Sequence, residues 1–229
     1  MSTASPDARF WNGVARKYAT HRIKDMAGYE RTLARARELL DRSATVLEIG
    51  CGTGTTALKI ASSVKRLIAT DVSSEMIAIA QEKAAAEACA NVEFITASAE
   101  RAPGSAGTYD AVLAFNALHL IGNRATALAH IHRLLKPGGL LISKTPCLSE
   151  MNPLIRIAVP IARLIGKAPT VAFFNAKELE AEIAGAGFTI VERGRHGTGG
   201  KDARIFIVAS KSSSQTSPGR HPVRSPRNA

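Results

Sequence analysis

Chemistry-bearing residues are most concentrated in residues 46–54, which have the sequence VLEIGCGTG. Three glycines, Gly50, Gly52 and Gly54, stand at alternate positions directly after an apolar run that already contains Glu48. Glycine costs backbone entropy wherever it is ordered, so three of them so close together need a reason. After a strand, glycines let the backbone turn tightly and let a ligand approach without a Cβ in the way. The stretch therefore predicts a ligand-binding turn with a carboxyl group beside it.

A second acidic position, Asp71, ends the run RLIATD about twenty residues further on, the interval at which dinucleotide-binding folds carry one. A carboxylate at the end of a second strand can accept hydrogen bonds from both hydroxyls of an adenosine ribose. Gly52, Gly54 and Ala57 also satisfy G-x-G-x-x-[GA], the dinucleotide fingerprint. Up to this point NAD and an adenosyl cofactor fit equally well, so an NAD-dependent oxidoreductase is one alternative.

Three features favour an adenosyl cofactor that carries positive charge. Glu48 inside the first strand opposes a pyrophosphate and suits a cation. The third strand ends in ITASAE, which offers Ser98, Ala99 and Glu100 to an adenine. The sequence also ends in two β-rich runs with no helix pattern between them, an addition that a plain dinucleotide-binding fold lacks.

Alternating strand and helix patterns must position these residues. The first five strand-like runs are apolar almost throughout, as expected where helices cover both faces of a parallel sheet. The seven runs are TVLEI (45–49), RLIAT (66–70), VEFIT (92–96), DAVLAF (110–115), LLISKT (140–145), GFTIVE (187–192) and ARIFIVAS (203–210). Helices are expected near 7–20 and 28–41 and over TTALKIASS, SSEMIAIAQEKAAAEA and RATALAHIHRLL. We predict an α/β fold with a seven-stranded, mostly parallel sheet, helices on both faces and an antiparallel C-terminal hairpin.

Four motifs, in this order and at these intervals, resemble those of class I S-adenosylmethionine-dependent methyltransferases over about residues 40–210. VLEIGCGTG resembles the glycine-rich first motif of that family, ATDVSSEMI the acidic second motif, YDAVLAFNALHLI the fourth, and LLKPGGLLI the turn before the fifth strand. The resemblance implies a Rossmann-like fold and S-adenosyl-L-methionine as the cofactor, with S-adenosyl-L-homocysteine as the product.

The resemblance also implies which residues hold the cofactor. The glycines would line its methionine part, Asp71 would hold the ribose hydroxyls, and Val72 and Met76 would flank the adenine. Many members of the family have Asp where this chain has Ser98, so Ala99 or Glu100 could meet the adenine amino group instead. The cofactor-binding residues predicted in this way are Tyr18, Glu48, Gly50, Cys51, Gly52, Gly54, Asp71, Val72, Met76, Ser98, Ala99, Glu100, Phe115 and Asn116.

The N-terminal stretch FWNGVARKYATHR carries a W-x-x-x-A-x-x-Y pattern at Trp11, Ala15 and Tyr18. The pattern resembles the branch of the family that is similar to ubiquinone and menaquinone methyltransferases and to bacterial phospholipid N-methyltransferases. In that branch Tyr18 would fold over the carboxylate end of the cofactor. We therefore expect residues 1–42 to form helices that cover the cofactor site, and residues 43–211 to form the methyltransferase core.

A candidate general base follows the fourth strand, where the resemblance implies that the sulfur end of the cofactor points. The stretch AFNALHLI supplies Asn116 and His119 there. Because the unperturbed pKa of a histidine lies near neutrality, His119 could deprotonate a phenol, an amine or an acid. Alternatively, His119 caps a helix or packs against the methionine end of the cofactor. A domain that binds the cofactor without transferring a methyl group is a further alternative.

No metal site is predicted from the cysteines and histidines. Cys51, Cys89 and Cys147 follow spacings that match neither a zinc pattern nor a disulfide framework, which indicates a reducing, cytoplasmic compartment. His130 and His132 are two residues apart on a helix pattern and so do not share a face. We interpret Cys51 as a small residue in the glycine loop rather than as a nucleophile.

The acceptor is best indicated by the apolar segment near residues 146–175, where members of the family commonly build an acceptor lid. The segment is rich in Leu and Ile, is interrupted by Arg156, Arg163 and Lys167, and contains Pro160, which should break or kink a helix. Three interpretations remain open at this point. The segment could form a buried helix pair, line a pocket for a lipophilic acceptor, or rest on a membrane with its cations toward anionic lipid.

The charge of the chain favours anionic partners, because its formal net charge is +11. The last stretch, 212–229, contains three arginines and no acid and has little to bury, so we expect a disordered basic tail. Nucleic acid is the less favoured partner: aromatics are only 5% of the chain, and FNAL stands where amino-directed nucleic-acid methyltransferases often carry N-P-P-[FY]. We predict methyl transfer to a small lipophilic acceptor, a quinone precursor or a lipid-like molecule, at the inner membrane face. The alternative is RNA or another polar acceptor.

Overall fold

Strands and helices alternate along most of the chain in the computed structural model, which describes residues 5–199 and 202–213. Its strands are β1 (Thr45–Ile49), β2 (Arg66–Asp71), β3 (Val92–Thr96), β4 (Tyr109–Phe115), β5 (Leu135–Pro146), β6 (Phe188–Gly194) and β7 (Arg204–Lys211). Its α-helices are α1 (Pro6–Ala19), α2 (Met26–Leu39), α3 (Thr55–Ala61), α4 (Ser74–Ala86), α5 (Arg124–Leu134), α6 (Ile155–Leu164) and α7 (Ala176–Gly185). Short 3₁₀ helices lie at Ala99–Arg101, Leu118–Leu120 and Leu148–Glu150.

The strands form one sheet in the order β3-β2-β1-β4-β5-β7-β6. Strands β1 to β5 are parallel, whereas β7 runs antiparallel to both β5 and β6. The strand order reverses at β1, where Leu47 pairs with Ile68 of β2 on one side and with Val112 of β4 on the other. In open α/β sheets, ligands bind beyond the carboxyl ends of the strands at such a reversal. The glycine-rich loop after β1 opens at this point.

The sheet separates two apolar clusters, because successive residues of a strand point to opposite faces. On one face, Leu47 and Val112 belong to a cluster that includes Leu128 of α5. On the other face, Val46 belongs to a cluster that includes Leu33 of α2 and residues of α3 and α4. Both faces are thus covered, which is why the parallel strands are apolar almost throughout.

The predicted fold class is confirmed, and most strand bounds agree within one or two residues. Strand β5 begins earlier than predicted because Leu135 already pairs with Tyr109, ahead of a register shift in β4. The predicted antiparallel hairpin is confirmed as β6 and β7. Its second strand, β7, is the one that inserts next to β5, so β6 lies at the sheet edge and runs parallel to the first five strands.

The two N-terminal helices begin at side-chain caps. Ser5 accepts a hydrogen bond from the backbone N–H of Ala8 at 3.2 Å, and Asp25 accepts one from Gly28 at 2.9 Å. These caps satisfy backbone donors that have no partner within the helix. Of the tail predicted to be disordered, 212–229, only residues 212 and 213 are among those described, and the rest lies outside the described residues.

The segment between β5 and α7 contains a single α-helix, α6, which includes Pro160 and has no buried residue. The interpretation of this segment as a buried helix pair is therefore wrong. The segment exposes six large apolar side chains, of which Leu164 is the most exposed at 87%. They are Met151, Leu154, Ile157, Ile161, Leu164 and Ile165. Over the part of the chain that is described, no helix has the length and apolar character that crossing a bilayer requires.

Candidate functional site

The loop between β1 and α3 has a backbone that favours glycine. Gly50, Gly52 and Gly54 have φ values of 64°, 54° and 75°. A Cβ on Gly54 would lie 2.8 Å from the ring of Phe94, so packing excludes a side chain there as well. A Cβ on Gly52 would meet nothing closer than the ring of Tyr18, at 3.8 Å. Gly54 therefore packs against the protein core, whereas Gly52 faces the cavity and has room beside it.

Asp71, at the end of β2, is held by backbone donors from two loops. The N–H of Gly52 donates to its Oδ2 at 3.0 Å, and the N–H of Ser73 donates to its Oδ1 at 2.9 Å. Burial raises the pKa of Asp71, and these backbone hydrogen bonds partly oppose that rise. Each carboxylate oxygen keeps a further lone pair, so the fixed carboxylate can accept hydrogen bonds from two vicinal hydroxyls.

Glu48 is a buried carboxyl group within β1 whose Oε2 has no hydrogen-bond partner in the structure. Burial, assisted by the negative charge of Asp71, raises the pKa of Glu48 to about 8. A buried oxygen without a partner is costly unless a ligand satisfies it. Because Asp71 is close enough to add to the local negative potential, the ligand that best fits Glu48 is a cation. The ammonium and sulfonium groups of an adenosylmethionine have this character.

Glu48, Asp71 and the glycine loop line a cavity of about 610 Å³ at the carboxyl ends of the strands. Of the sequence-predicted cofactor residues, only Gly54 does not line this cavity, since Gly54 packs against Phe94. The predicted cofactor residues that line the cavity are Tyr18, Glu48, Gly50, Cys51, Gly52, Asp71, Val72, Met76, Ser98, Ala99, Glu100, Phe115 and Asn116. The structure therefore brings them together around one cavity.

Helix α1 forms one side of this cavity and is fastened to the core by polar contacts. Ser73 donates a hydrogen bond to Oδ1 of Asn12 at 2.7 Å, and Arg16 forms an ion pair with Glu82 of α4 at 3.2 Å. The rings of Trp11 and Tyr18 meet edge to face at a centroid distance of 6.0 Å, and both line the cavity. Burial and the charge of Asp71 raise the pKa of Tyr18. The N-terminal pattern thus corresponds to a wall beside the glycine loop.

The cavity lining also contains residues that sequence reasoning missed. They come from α2, β5 and β7, and they are Tyr29, Thr32, Lys144 and Arg204. The one signal that could have indicated them is the lysine in the otherwise apolar run LLISKT, since a buried strand has no other reason to contain an ammonium group.

His119, the predicted general base, does not line this cavity. It lies in the 3₁₀ helix Leu118–Leu120, and its carbonyl accepts a hydrogen bond from Ala172 at 2.8 Å. Burial, followed by the charge of Arg124, lowers the pKa of His119 to about 4, and its Nδ1 has no hydrogen-bond partner among the described residues. The imidazole is therefore neutral at pH 7 and is a weaker base than an ordinary histidine. Its catalytic role remains a prediction.

The cavity offers no activated thiol. Burial raises the pKa of Cys51 well above its ordinary value, and the charges of Glu48 and Asp71 act in the same direction. Cys51 is thus a protonated, weakly nucleophilic thiol at pH 7. Within residues 5–199 and 202–213, no group of three or more His, Cys, Asp or Glu side chains is arranged to hold a metal ion.

Comparison with known proteins finds methyltransferases among the similar sequences and structures. A family profile described as "Methyltransferase domain" matches residues 46–139. The chain is 30% identical over 205 residues to a demethylmenaquinone methyltransferase of Lactococcus lactis, covering 79% of each chain. It is 33% identical over 101 residues to the ubiquinone/menaquinone biosynthesis C-methyltransferase UbiE of Francisella philomiragia, covering 42% of this chain and 40% of that one. A phosphoethanolamine N-methyltransferase of Haemonchus contortus, solved with S-adenosyl-L-methionine, superposes with a TM-score of 0.67 at 17% identity, covering 81% of this chain and 53% of that one.

Proposed function

The chain belongs to the class I S-adenosylmethionine-dependent methyltransferases, and from this premise we propose that it methylates a small lipophilic acceptor, a quinone precursor or a lipid-like molecule. The observation that carries the proposal is the exposed apolar face of α6. The lining of the cavity also includes aromatic and aliphatic side chains, among them Trp11, Phe115 and Ile121. The chain after α6 touches the rim of that cavity, since the N–H of Thr170 donates to Asp7 at 3.0 Å. The relative from Lactococcus lactis, named for demethylmenaquinone, supports an acceptor of this class.

In this proposal the residues around the glycine loop hold the cofactor. Asp71 accepts hydrogen bonds from the ribose hydroxyls, and Glu48 faces the cationic end. Val72 and Met76 pack against the adenine, with Ser98 to Glu100 beside it. When bound, S-adenosyl-L-methionine supplies an electrophilic methyl group on a sulfonium. The protein must then hold the acceptor in line with that methyl group and exclude water, which is mainly a positioning task.

The acceptor would enter from a membrane surface on which α6 lies. An exposed apolar helix face flanked by cations is typical of helices that lie in a lipid interface. Arg156, Arg163 and Lys167 are exposed beside the apolar side chains and would face anionic headgroups. The excess of basic over acidic residues in the chain would also attract the protein to an anionic membrane.

A combined binding and transfer assay tests the proposal. Calorimetric titration with S-adenosyl-L-methionine and S-adenosyl-L-homocysteine precedes a labelled-methyl assay on an extract of lipids and quinone precursors. Binding together with label in the organic phase is the expected result. Binding with label only in polar compounds or RNA would overturn the lipophilic acceptor and keep the cofactor. Absence of binding would contradict the cofactor site.

Vesicle flotation tests the membrane contact separately. Wild-type protein should bind vesicles of phosphatidylglycerol but not those of phosphatidylcholine. The double variant Ile157→Ser, Ile161→Ser should bind about tenfold more weakly or worse, because each buried apolar side chain contributes about 1.5–3 kcal/mol. Val191→Ser is the matched control, since Val191 is 57% exposed on β6, far along the chain from α6. Equal binding by the double variant would exclude α6 as the contact.

The general-base hypothesis for His119 has its own test. If His119 accepts the acceptor proton, His119→Gln should lower kcat by about a hundredfold or more while leaving cofactor affinity unchanged. The carbonyl of His119 and the loop around it are retained in this variant. Wild-type turnover would exclude His119 as the base.

A further inference from the structure

The ammonium group of Lys144 is buried at the carboxyl end of β5 and lines the cavity. The residue is 5% exposed, and its Nζ donates to Thr32 Oγ1 at 2.9 Å, with the carbonyl of Gly28 at 3.4 Å. Its carbonyl accepts a hydrogen bond from the N–H of Asn116, so it lies beside the end of β4. An ammonium carries three donor hydrogens, and the protein supplies two neutral acceptors for them.

Lys144 has no carboxylate ion-pair partner among the described residues. The nearest acids, Asp25 and Asp202, are both engaged by Arg204, at 3.5 Å and 2.9 Å. They influence Lys144 only at longer range, and Arg204 and Arg31 oppose them. His196, the other titratable group nearby, contacts Thr32 with its Nδ1 at 3.0 Å. A buried ammonium without a counter-charge is unfavourable, and a ligand that brings a negative charge would relieve that cost.

The position of Lys144 indicates which ligand this is. The predicted cofactor residues run from the end of β3, through β2 and β1, to Phe115 and Asn116 at the end of β4. Lys144 lies beyond them, past β4, and the same cavity reaches it. A ligand group at Lys144 therefore does not belong to the nucleoside. Because the carboxylate end of the cofactor is expected at Tyr18, the group at Lys144 is assigned to the acceptor. Thr32 of α2, which contacts Lys144, also lines the cavity.

We propose that Lys144 forms an anion subsite, in which its ammonium group binds a negatively charged oxygen of the acceptor. The inference rests on the proposed function and defines the chemical class of the acceptor more closely. The acceptor is an apolar molecule with one acidic oxygen, namely a carboxylic acid, an enol or a phenol. Lys144 is a recognition residue in this role, since it fixes the orientation of the acceptor through a charge-assisted hydrogen bond.

The test compares an anionic probe with a neutral probe of the same shape. Binding of 2-naphthoate and of 2-naphthamide is measured in the presence of saturating S-adenosyl-L-homocysteine. Wild-type protein should prefer naphthoate by about tenfold or more, as expected for a hydrogen bond between charged groups in a buried site. Lys144→Met should remove the preference, because it keeps the length of the side chain and removes the charge.

Lys136→Met is the matched control. Lys136 lies near the start of the same strand, pairs with Asp110 at 2.7 Å and does not line the cavity, so this variant should keep the wild-type preference. A wild-type protein without the preference, or a Lys144→Met variant that keeps it, would overturn the subsite. Titration with S-adenosyl-L-homocysteine reports on the proposed cofactor function independently. Lys144→Met should change the affinity for S-adenosyl-L-homocysteine by no more than about twofold, which is far less than the loss of a charged contact would cause.

A second measurement uses only the wild-type protein, in case Lys144→Met does not fold. The Hε–Cε resonance of Lys144 should shift on addition of naphthoate and stay in place with naphthamide. Equal shifts with both probes, or none with either, would exclude an ion contact at Lys144.

Discussion

The two sides of the cavity differ in charge and in how the chain assembles them. The side formed by β1, β2 and β3 contributes Glu48, Asp71 and Glu100, all of which are acidic. The side formed by β5, β7 and α2 contributes Lys144 and Arg204, which are basic. A cationic cofactor and an acceptor with an anionic oxygen would each meet the complementary side. Electrostatic complementarity would therefore direct the cofactor to the acidic side and the acceptor to the basic side.

Burial acts on the two sides in opposite directions for the same reason. It raises the pKa of Glu48 and lowers the pKa of Lys144, because removing either group from water disfavours its charged form. The electrostatic neighbour of Glu48 is Asp71, and those of Lys144 are Arg204, Asp202, Asp25 and Arg31. The two charges are thus not partners of each other, and each can be satisfied by a separate ligand.

The largest effect is expected from removing the carboxylate of the acidic side. Asp71→Ala should weaken the binding of S-adenosyl-L-homocysteine by about a hundredfold or more, since two hydrogen bonds to a charged group, each contributing about 1.5–3 kcal/mol, are lost. Calorimetric titration measures the change. Asp110→Ala is the control, because Asp110 is also an aspartate that accepts a backbone hydrogen bond, from Thr45 at 2.8 Å, but lies outside the cavity. Unchanged affinity in Asp71→Ala would show that the ribose is held elsewhere.

A smaller effect, with a defined pH dependence, is expected at Glu48. Its pKa of about 8 means that the carboxyl is mostly protonated at pH 7 in the free protein. A cation binds the ionised form, so binding must release a proton. Affinity for S-adenosyl-L-methionine should therefore rise by about tenfold per pH unit below pH 8 and level off above it.

Glu48→Gln separates this effect from titration of the ligand. The variant keeps the shape of the side chain but cannot ionise. The increase in S-adenosyl-L-methionine affinity with pH that Glu48 contributes should therefore disappear, whereas the amine of the ligand should titrate as before. Calorimetry in buffers of different ionisation enthalpy counts the protons released. A pH profile that is identical in the two proteins would mean that Glu48 does not face the cationic end.

The acidic side could be predicted from the sequence because each of its residues lies near the carboxyl end of a strand or a few positions after it. The strand VLEI leads directly to the glycine loop, and the parallel strand RLIAT leads to Asp71. Strand patterns and their order were therefore enough to bring Glu48, Asp71 and Ser98 to one edge of the sheet. The basic side depends on contacts between residues that are far apart in the sequence, such as Lys144 with Thr32, and no local pattern encodes that contact.

Two further features lay beyond local patterns. The sequence predicted the C-terminal hairpin, but the insertion of β7 beside β5 depends on a competition between two β-rich runs of similar composition. The apolar composition of the segment around α6 left burial, a pocket wall and a membrane contact open, and the structure leaves that helix exposed. Hydrophobic composition indicates that a face needs a partner, but it does not say whether the partner is the same chain.

The smallest effect is expected from a residue of the acidic side that has neither a charge nor a strong hydrogen bond. The thiol of Cys51 donates a weak hydrogen bond to the carbonyl of Gly52 at 3.6 Å, and its raised pKa keeps it protonated. Cys51→Ala should therefore keep cofactor affinity within about twofold, because it removes only a weak donor. Iodoacetamide should modify the partly exposed Cys89 before the buried Cys51, which peptide mass spectrometry can follow. A large loss of cofactor affinity in Cys51→Ala would mean that the thiol itself contributes to binding. Modification of Cys51 before Cys89 would mean that the Cys51 thiol is more reactive than its burial and raised pKa predict.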